Sequence, residues 1–344
     1  MDLIKIMYES MAVGVEVALQ KLWMMNLPSL DLIGGPVEGL VCVVTGPTSG
    51  IGKETATELA RRGAHVVLAC RSMQRGQALR RAIEADAKAS GRADPSLEVM
   101  ELDLSSLQSV RNFATAWFTE NSNRPVHILI NNAGIFSMSA PRFVTEDGFE
   151  SHMGTNHLGH FLLTLLLMPA LHAAAKDIQQ PARVVNVSSR LNLMGKLHRE
   201  NPNLTTGYSS VVAYAQSKLA QVAFAAELSR RSNGKVIAVA VHPGEVATDV
   251  VRSLPPFIQK LYNTIMGAVL LTPAQGARSS VFCGTSPDLH TKPSLQNIFY
   301  YDSNCAPGTA AKDAYDRDAC AWLWKWSAEA VKLDPKDDLR ATTE

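Results

Sequence analysis

The sequence lacks a large net charge, a cysteine framework and any long uninterrupted apolar run, and each lack excludes something. Lys+Arg number 33 against 32 Asp+Glu, so the formal net charge is +1. No basic stripe runs along any segment, and nothing recommends a nucleic-acid partner. The five cysteines, Cys42, Cys70, Cys283, Cys305 and Cys320, are odd in number and nowhere spaced C-x-x-C. A disulfide framework and a zinc site are both disfavoured. His157 and His160 have metal-ligand spacing but no third ligand nearby, so they read as core or cofactor-lining residues, and no metal is expected.

The longest apolar-rich stretch near the start, Leu3 to Leu27, is broken by Lys5, Glu9, Glu16 and Lys21. It is no spanning helix. Asp2 and the lack of a basic leading segment argue against a signal peptide, and the two glutamates against a transit peptide. On a helix, Lys5, Glu9, Glu16 and Gln20 share a narrow face and Leu3, Met7, Met11, Val15, Leu22 and Trp23 fill the rest. That amphipathic pattern fits an interfacial membrane anchor, and equally a helix packed on the body or on a second subunit. Leu158 to Ala175 is the most apolar stretch in the chain, but it holds His160, Pro169 and His172. It reads as a helix buried between a sheet and a partner subunit rather than as a membrane span.

Hydrophobic residues make up 46% of the chain and charged residues 19%, an ordinary globular balance. From Leu40 onward, short apolar runs alternate with helical patterns. The runs are Leu40 to Thr45, His65 to Cys70, Leu97 to Leu102, Val126 to Ile130, Arg183 to Val187, Lys235 to Val241 and Asn297 to Tyr301. They show little period-two alternation, as strands buried on both faces do. Helical stretches at Lys53 to Arg62, Arg71 to Ala89, Leu107 to Glu120, Phe149 to Ala174 and Val212 to Arg231 separate most of them. The expectation is a doubly wound α/β Rossmann fold with a seven-stranded, mainly parallel sheet. We divide the chain into an N-terminal helix (1–35), the main domain with its substrate region (36–312) and a C-terminal helix and tail (313–344).

The first strand runs into Thr45-Gly46-Pro47-Thr48-Ser49-Gly50-Ile51-Gly52. Gly46 allows a tight turn, Gly50 lets the backbone approach a pyrophosphate, and Gly52 lets a helix pack close to the sheet. The helix N-terminus then offers N–H groups to phosphates. Where an acid would end the second strand and bind ribose hydroxyls, Arg71 stands, followed by Ser72. A guanidinium suits a 2′-phosphate, which a carboxylate would repel, so NADP(H) is expected over NAD(H). Tyr214 and Lys218 lie one helical turn apart. A lysine ammonium there, together with the positive nicotinamide ring, would lower the phenol's pKa from its usual value near 10.

TGxxxGIG at Thr45 to Gly52, Asn131-Asn132-Ala133-Gly134 and Tyr214-x-x-x-Lys218 together resemble the short-chain dehydrogenase/reductase family, over roughly Leu40 to Tyr301. The resemblance implies Tyr214 as catalytic acid/base, Lys218 on the nicotinamide ribose and Ser189 as the group that polarises the substrate oxygen. It further implies Asn156 holding a water in the proton path. For the cofactor it implies the loop residues Gly46, Thr48, Ser49, Gly50, Ile51 and Gly52, with Arg71. Asp103 would lie near the adenine, though alone it could equally cap the next helix. Asn132, Ala133 and Gly134 would line the site, and Pro243, Gly244, Val246 and Thr248 would wrap the nicotinamide end. The long Ser189–Tyr214 interval and phrases such as Asp147-Gly148-Phe149-Glu150 are similar to a branch holding retinol-dehydrogenase-like enzymes, the X-linked dehydrogenase/reductase and the plant Forever Young oxidoreductase. That branch implies a lipophilic alcohol, aldehyde or ketone, a lid over the apolar segment Val250 to Leu271, and attachment to a cytosol-facing membrane such as the endoplasmic reticulum, with a cytoplasmic location and a homodimer as open expectations. The competing class is an NADP(H)-binding regulator or scaffold with little turnover. Intact Asn156, Ser189, Tyr214 and Lys218 speak against it.

Overall fold

The computed structural model describes residue 20 and residues 27–120, 124–136, 141–246 and 270–339. The N-terminal amphipathic stretch other than Gln20 and Leu27, the lid segment as far as residue 269, and Thr248 lie outside them. Seven strands form one sheet: β1 Val41–Thr45, β2 His65–Cys70, β3 Leu97–Glu101, β4 Ile128–Asn131, β5 Ala182–Val187, β6 Val236–Val241 and β7 Tyr300–Tyr301. Their order is β3-β2-β1-β4-β5-β6-β7, and every pairing is parallel. Successive side chains leave opposite faces. Val43, Leu129 and Val184 therefore join one core layer, while Cys42, Val44, Ile128 and Ile130 join the other. Both layers are dry, which is why the strands read as continuous apolar runs.

The helices are α1 Gly50–Arg61, α2 Met73–Ala89, α3 Leu107–Glu120, α4 Gly159–Leu166, α5 Met168–Asp177, α6 Ser210–Arg231, α7 Pro273–Thr285, the one-turn α8 Asp288–Thr291, and α9 Arg317–Ala330. Strand order reverses between β1 and β4, so a crevice opens at the carboxyl ends of these strands.

The single helix expected over Phe149 to Ala174 is in fact three pieces. A π-helical turn, Met153–Leu158, leads into α4. The chain then breaks at Leu167, and α5 starts with Pro169 in its first turn. Proline has no N–H and its ring clashes with the preceding turn, so the helix cannot run straight through. The two limbs bend by 55°. Among the described residues no single helix is long and apolar enough to cross a membrane, and Leu158, Phe161, Leu162, Leu163 and Leu165 are fully buried in the protein core.

The cover expected from a partner subunit over this apolar helix comes from the chain itself. Helix α9 lies across it: the Trp324 ring sits 5.3 Å from Phe161 and 5.8 Å from Phe224 of α6. Ser327 Oγ meets His157 Nε2 at 2.8 Å. Asp316 caps α9 by accepting from the backbone N–H groups of Asp318 and Ala319.

Candidate active site

The glycine loop leaves β1 at Thr45 and enters α1. Gly46 (φ +63°) and Gly50 (φ +55°) occupy the left-handed region, which favours glycine. A Cβ on Gly52 would lie 2.3 Å from Asn132 Nδ2 and 2.5 Å from the Gly46 carbonyl, so α1 seats against the loop only without a side chain there. Ser49 precedes α1, and its side chain leaves the first-turn N–H groups uncapped. A helix N-terminus behind a glycine loop fits a dinucleotide pyrophosphate.

Asn132 and Ala133, just after β4, tie this loop down. Asn132 Nδ2 donates to the carbonyls of Thr45 (2.9 Å) and Gly46 (3.2 Å). The backbone N–H groups of Asn132 and Ala133 both donate to Thr45 Oγ1 at 3.0 Å. With two bonds accepted, the Thr45 hydroxyl donates its own proton to His160 Nε2 at 2.9 Å. His160 Nδ1 lies 3.0 Å from the Asn156 carbonyl, a pure acceptor, so the ring proton sits on Nδ1. Burial holds the His160 pKa down at about 4, keeping the ring neutral. Thr45 and His160 thus join the cofactor loop to the turn that carries Asn156. Sequence reasoning left both unassigned as positioning residues.

Asn156 sits on the π-helical turn, completely buried. Its Oδ1 accepts from Ile135 N–H at 2.8 Å. Its Nδ2 donates to Ile135 O at 3.1 Å and Ser217 Oγ at 3.0 Å. Ser217 in turn donates to the Tyr214 carbonyl at 2.8 Å. A Cβ on exposed Gly134 would come 3.3 Å from Lys218 Nζ and 3.4 Å from Asn156 Oδ1, so lysine and asparagine meet beneath an open backbone.

Tyr214 and Lys218 share one face of α6, with Lys218 Nζ 5.6 Å from the centre of the Tyr214 ring. The Ser189 side chain lies beside the Tyr214 phenol and favours its charged form. Its neighbour Ser188 instead donates to the Lys218 carbonyl at 2.8 Å inside the core. The structure therefore separates the two serines as the sequence analysis does. The Phe136 ring lies 4.3 Å from Tyr214.

Without the cofactor's charge, burial dominates the electrostatics of this pair. Burial pushes the Tyr214 phenol up to about 12, with the Ser189 side chain opposing and the Glu245 charge adding to the rise. Lys218 does not pull it down in this state, because burial lowers the lysine itself to about 7. Its Nζ donates to Val187 O at 2.8 Å and Gln221 Oε1 at 3.0 Å. Spacing along a helix brings two side chains close, but desolvation decides their charge.

Arg71 follows β2 and is exposed. Arg75 Nη2, unassigned from sequence, lies 3.5 Å from the Thr48 carbonyl in the glycine loop. Asp103 makes a local turn, accepting from Ser105 N–H (2.9 Å) and Ser105 Oγ (2.6 Å). It does not cap α3, whose first N–H, on Leu107, donates to Asp147. Pro243, Gly244 and Val246 follow β6. Gly244 is left-handed at φ +83°, and Val246 bridges in parallel to Leu271. The Cβ position of Gly276 in α7 lies 2.5 Å from Val246 Cγ2 and 3.1 Å from Ile51 Cγ1. A glycine there lets α7 close over both loops.

The family model for short chain dehydrogenase matches residues 40–258. The chain is a short-chain dehydrogenase/reductase. This dehydrogenase/reductase is 40% identical over 298 residues to retinol dehydrogenase 12 of Mus musculus, covering 86% of this chain and 88% of the relative. It is 37% identical over 309 residues to the dehydrogenase/reductase FEY of Arabidopsis thaliana, covering 86% and 80%. It therefore sits in the retinol-dehydrogenase-like branch. A solved structure of an uncharacterized protein from Mycobacterium paratuberculosis superposes with TM-score 0.66 and 32% identity, covering 89% of this chain and 98% of that one.

In this dehydrogenase/reductase a buried carboxylate organises the turn that carries Asn156. Glu150, fully buried, accepts from His152 Nδ1 at 2.8 Å and from the backbone N–H groups of His152 (3.0 Å) and Met153 (2.9 Å). Burial alone would raise its pKa, but these hydrogen bonds outweigh that and hold it below 4.5. The stability it contributes is present above the unfolded value and lost as pH falls through the depressed folded one. Glu150→Ala is expected to cost about 3–5 kcal/mol by stranding those buried donors. Urea unfolding at neutral pH and near pH 4 would check this. The difference between variant and parent should shrink at the acid end, and a constant difference would refute the assignment.

Proposed function

We propose that the protein interconverts an alcohol and a carbonyl on a lipophilic substrate, of retinoid, steroid, polyprenol or long-chain aldehyde type, using NADP(H). The observation that carries this reading is the meeting of Ser189, Tyr214, Lys218 and Asn156 at the carboxyl ends of the central strands, beside a glycine loop shaped for a dinucleotide. In the proposed arrangement Gly46, Thr48, Ser49, Gly50, Ile51 and Gly52 hold the pyrophosphate, Arg71 the 2′-phosphate and Asp103 the adenine. Asn132, Ala133 and Gly134 line the floor. Pro243, Gly244 and Val246, with Thr248 beyond the described residues, take the nicotinamide end, and Lys218 the ribose. The bound cofactor supplies or accepts the hydride.

In reduction, Tyr214 gives its hydroxyl proton to the substrate oxygen while Ser189 orients that oxygen. A phenol with pKa about 12 is protonated at neutral pH and ready to donate. The tyrosinate left behind is reprotonated through Lys218 and Asn156, which lie together beneath Gly134. In oxidation the proton moves the other way. The retinol dehydrogenase relative and exposed apolar residues such as Ile135, next to Phe136 over Tyr214, support a lipophilic substrate. The N-terminal amphipathic pattern supports docking on a membrane surface.

The test is NADPH oxidation by purified protein against retinal, steroid ketones, polyprenals and long-chain aldehydes, with the reverse reaction run on the matching alcohols and NADP+. Turnover on one class establishes the enzyme and its substrate type. Tight NADPH binding with no turnover in either direction would favour the regulator reading instead.

A further inference from the structure

The N-terminal segment reads from sequence as an amphipathic helix, either a membrane anchor or a helix packed on the body or on a second subunit, with Gln20 on its polar face. That side chain is 4% exposed, and its amide is bound at both ends to one distant residue. Glu245 N–H donates to Gln20 Oε1 at 2.9 Å, and Gln20 Nε2 donates to Glu245 O at 3.0 Å. Glu245 lies between Gly244 and Val246, in the loop that follows β6 beside Tyr214. The pairing mimics one rung of a sheet: a primary amide offers an acceptor and a donor side by side, matching the N–H and C=O of a single residue.

The same loop is also tied to Leu271. Leu271 N–H donates to the same Glu245 carbonyl at 2.9 Å, and Val246 bridges to Leu271. The Glu245 N–H donates to Gln20. Gly244 is left-handed, and its Cβ position falls 3.2 Å from Gln20 Oε1. The amide therefore packs on the turn as well as bonding it.

We propose that Gln20 is a positioning residue for cofactor binding: it holds the Glu245 backbone so that the 243–246 loop keeps the shape that receives the nicotinamide end. This rests on the reading of that loop as the nicotinamide wall.

The experiment uses the full chain in detergent and compares two ligands. NADPH spans the whole crevice, whereas 2′,5′-ADP reaches only the glycine-loop end. Gln20→Met keeps the shape and removes both hydrogen bonds. It is expected to weaken NADPH binding about ten-fold, the scale of two lost bonds, and to leave 2′,5′-ADP binding unchanged by calorimetry. Gln20→Glu keeps the acceptor for Glu245 N–H but sets a carboxylate against the Glu245 carbonyl, and should also weaken NADPH selectively. If the methionine variant fails to fold, this variant carries the comparison. Unchanged NADPH affinity overturns the inference, and so does an equal loss for both ligands, which would mean a general structural defect. A parent protein that binds neither ligand overturns the cofactor reading itself and the inference with it.

Discussion

Tyr214→Phe is expected to lower turnover by about 10²–10⁴-fold, the usual scale of a lost general acid or base, with NADPH affinity and thermal stability unchanged. The substitution removes one hydroxyl and keeps the ring, which packs against Phe136 at 4.3 Å and His152 at 5.9 Å. Single-turnover rates with bound NADPH would isolate the chemical step from product release. The pH dependence has a definite sign. With the phenol raised to about 12, the donating form is present throughout the neutral range, so the reduction rate should be flat there as far as Tyr214 controls it. Oxidation needs the deprotonated form, so its rate should rise with pH. Retention of more than about a tenth of the parent rate would remove Tyr214 from the role assigned here.

The second large effect concerns the cofactor. Arg71→Asp should reverse a preference for NADPH over NADH. A charge-assisted bond to a phosphate contributes about 1.5–3 kcal/mol, or about 10–150-fold in affinity. The new carboxylate adds repulsion of the 2′-phosphate and offers an acceptor to the ribose hydroxyls of NADH. Arg71 is exposed, so the change should cost little stability. Arg75, close to the Thr48 carbonyl, would retain some attraction for the phosphate, and the reversal should be more complete in the Arg71→Asp, Arg75→Ala double variant. The measurement is kcat/KM for the two cofactors at fixed substrate. An unchanged ratio would mean that the 2′-phosphate lies elsewhere.

Much of this was legible in the sequence because it is local. Buried parallel strands read as unbroken apolar runs, and six of the seven expected runs begin or end within two residues of the observed strand limits at both ends. The shorter last strand, Tyr300–Tyr301 against the expected Asn297 to Tyr301, reflects its place at the sheet edge, where it pairs only with β6. Glycines mark the loop because that backbone admits no Cβ. Tyr214 and Lys218 meet because they are one helical turn apart. Ser189 separates from Ser188 because adjacent residues at a strand end point in opposite directions, one toward Tyr214 and one into the core.

Distance in the chain hid the rest. Nothing in the run from Gly159 to Leu166 says that α9 will cover it, since an apolar face requires a cover but does not name one. Glu150 and His152 look like ordinary polar residues until folding removes their water, and burial likewise raises Tyr214 and lowers Lys218. Thr45, His160 and Asn156 form a chain of hydrogen bonds only because β1, the α4 helix and the π-helical turn converge. Gln20 and Glu245 are 225 residues apart. By itself the sequence determined the Rossmann-type alternation of buried strands and helices, the glycine loop and the residue types proposed to carry the chemistry, all products of short-range spacing and backbone sterics. Only the tertiary structure decided which side chains are dry, hence which are charged, and which remote segments close the site, because desolvation and long-range contacts exist only once the chain has packed.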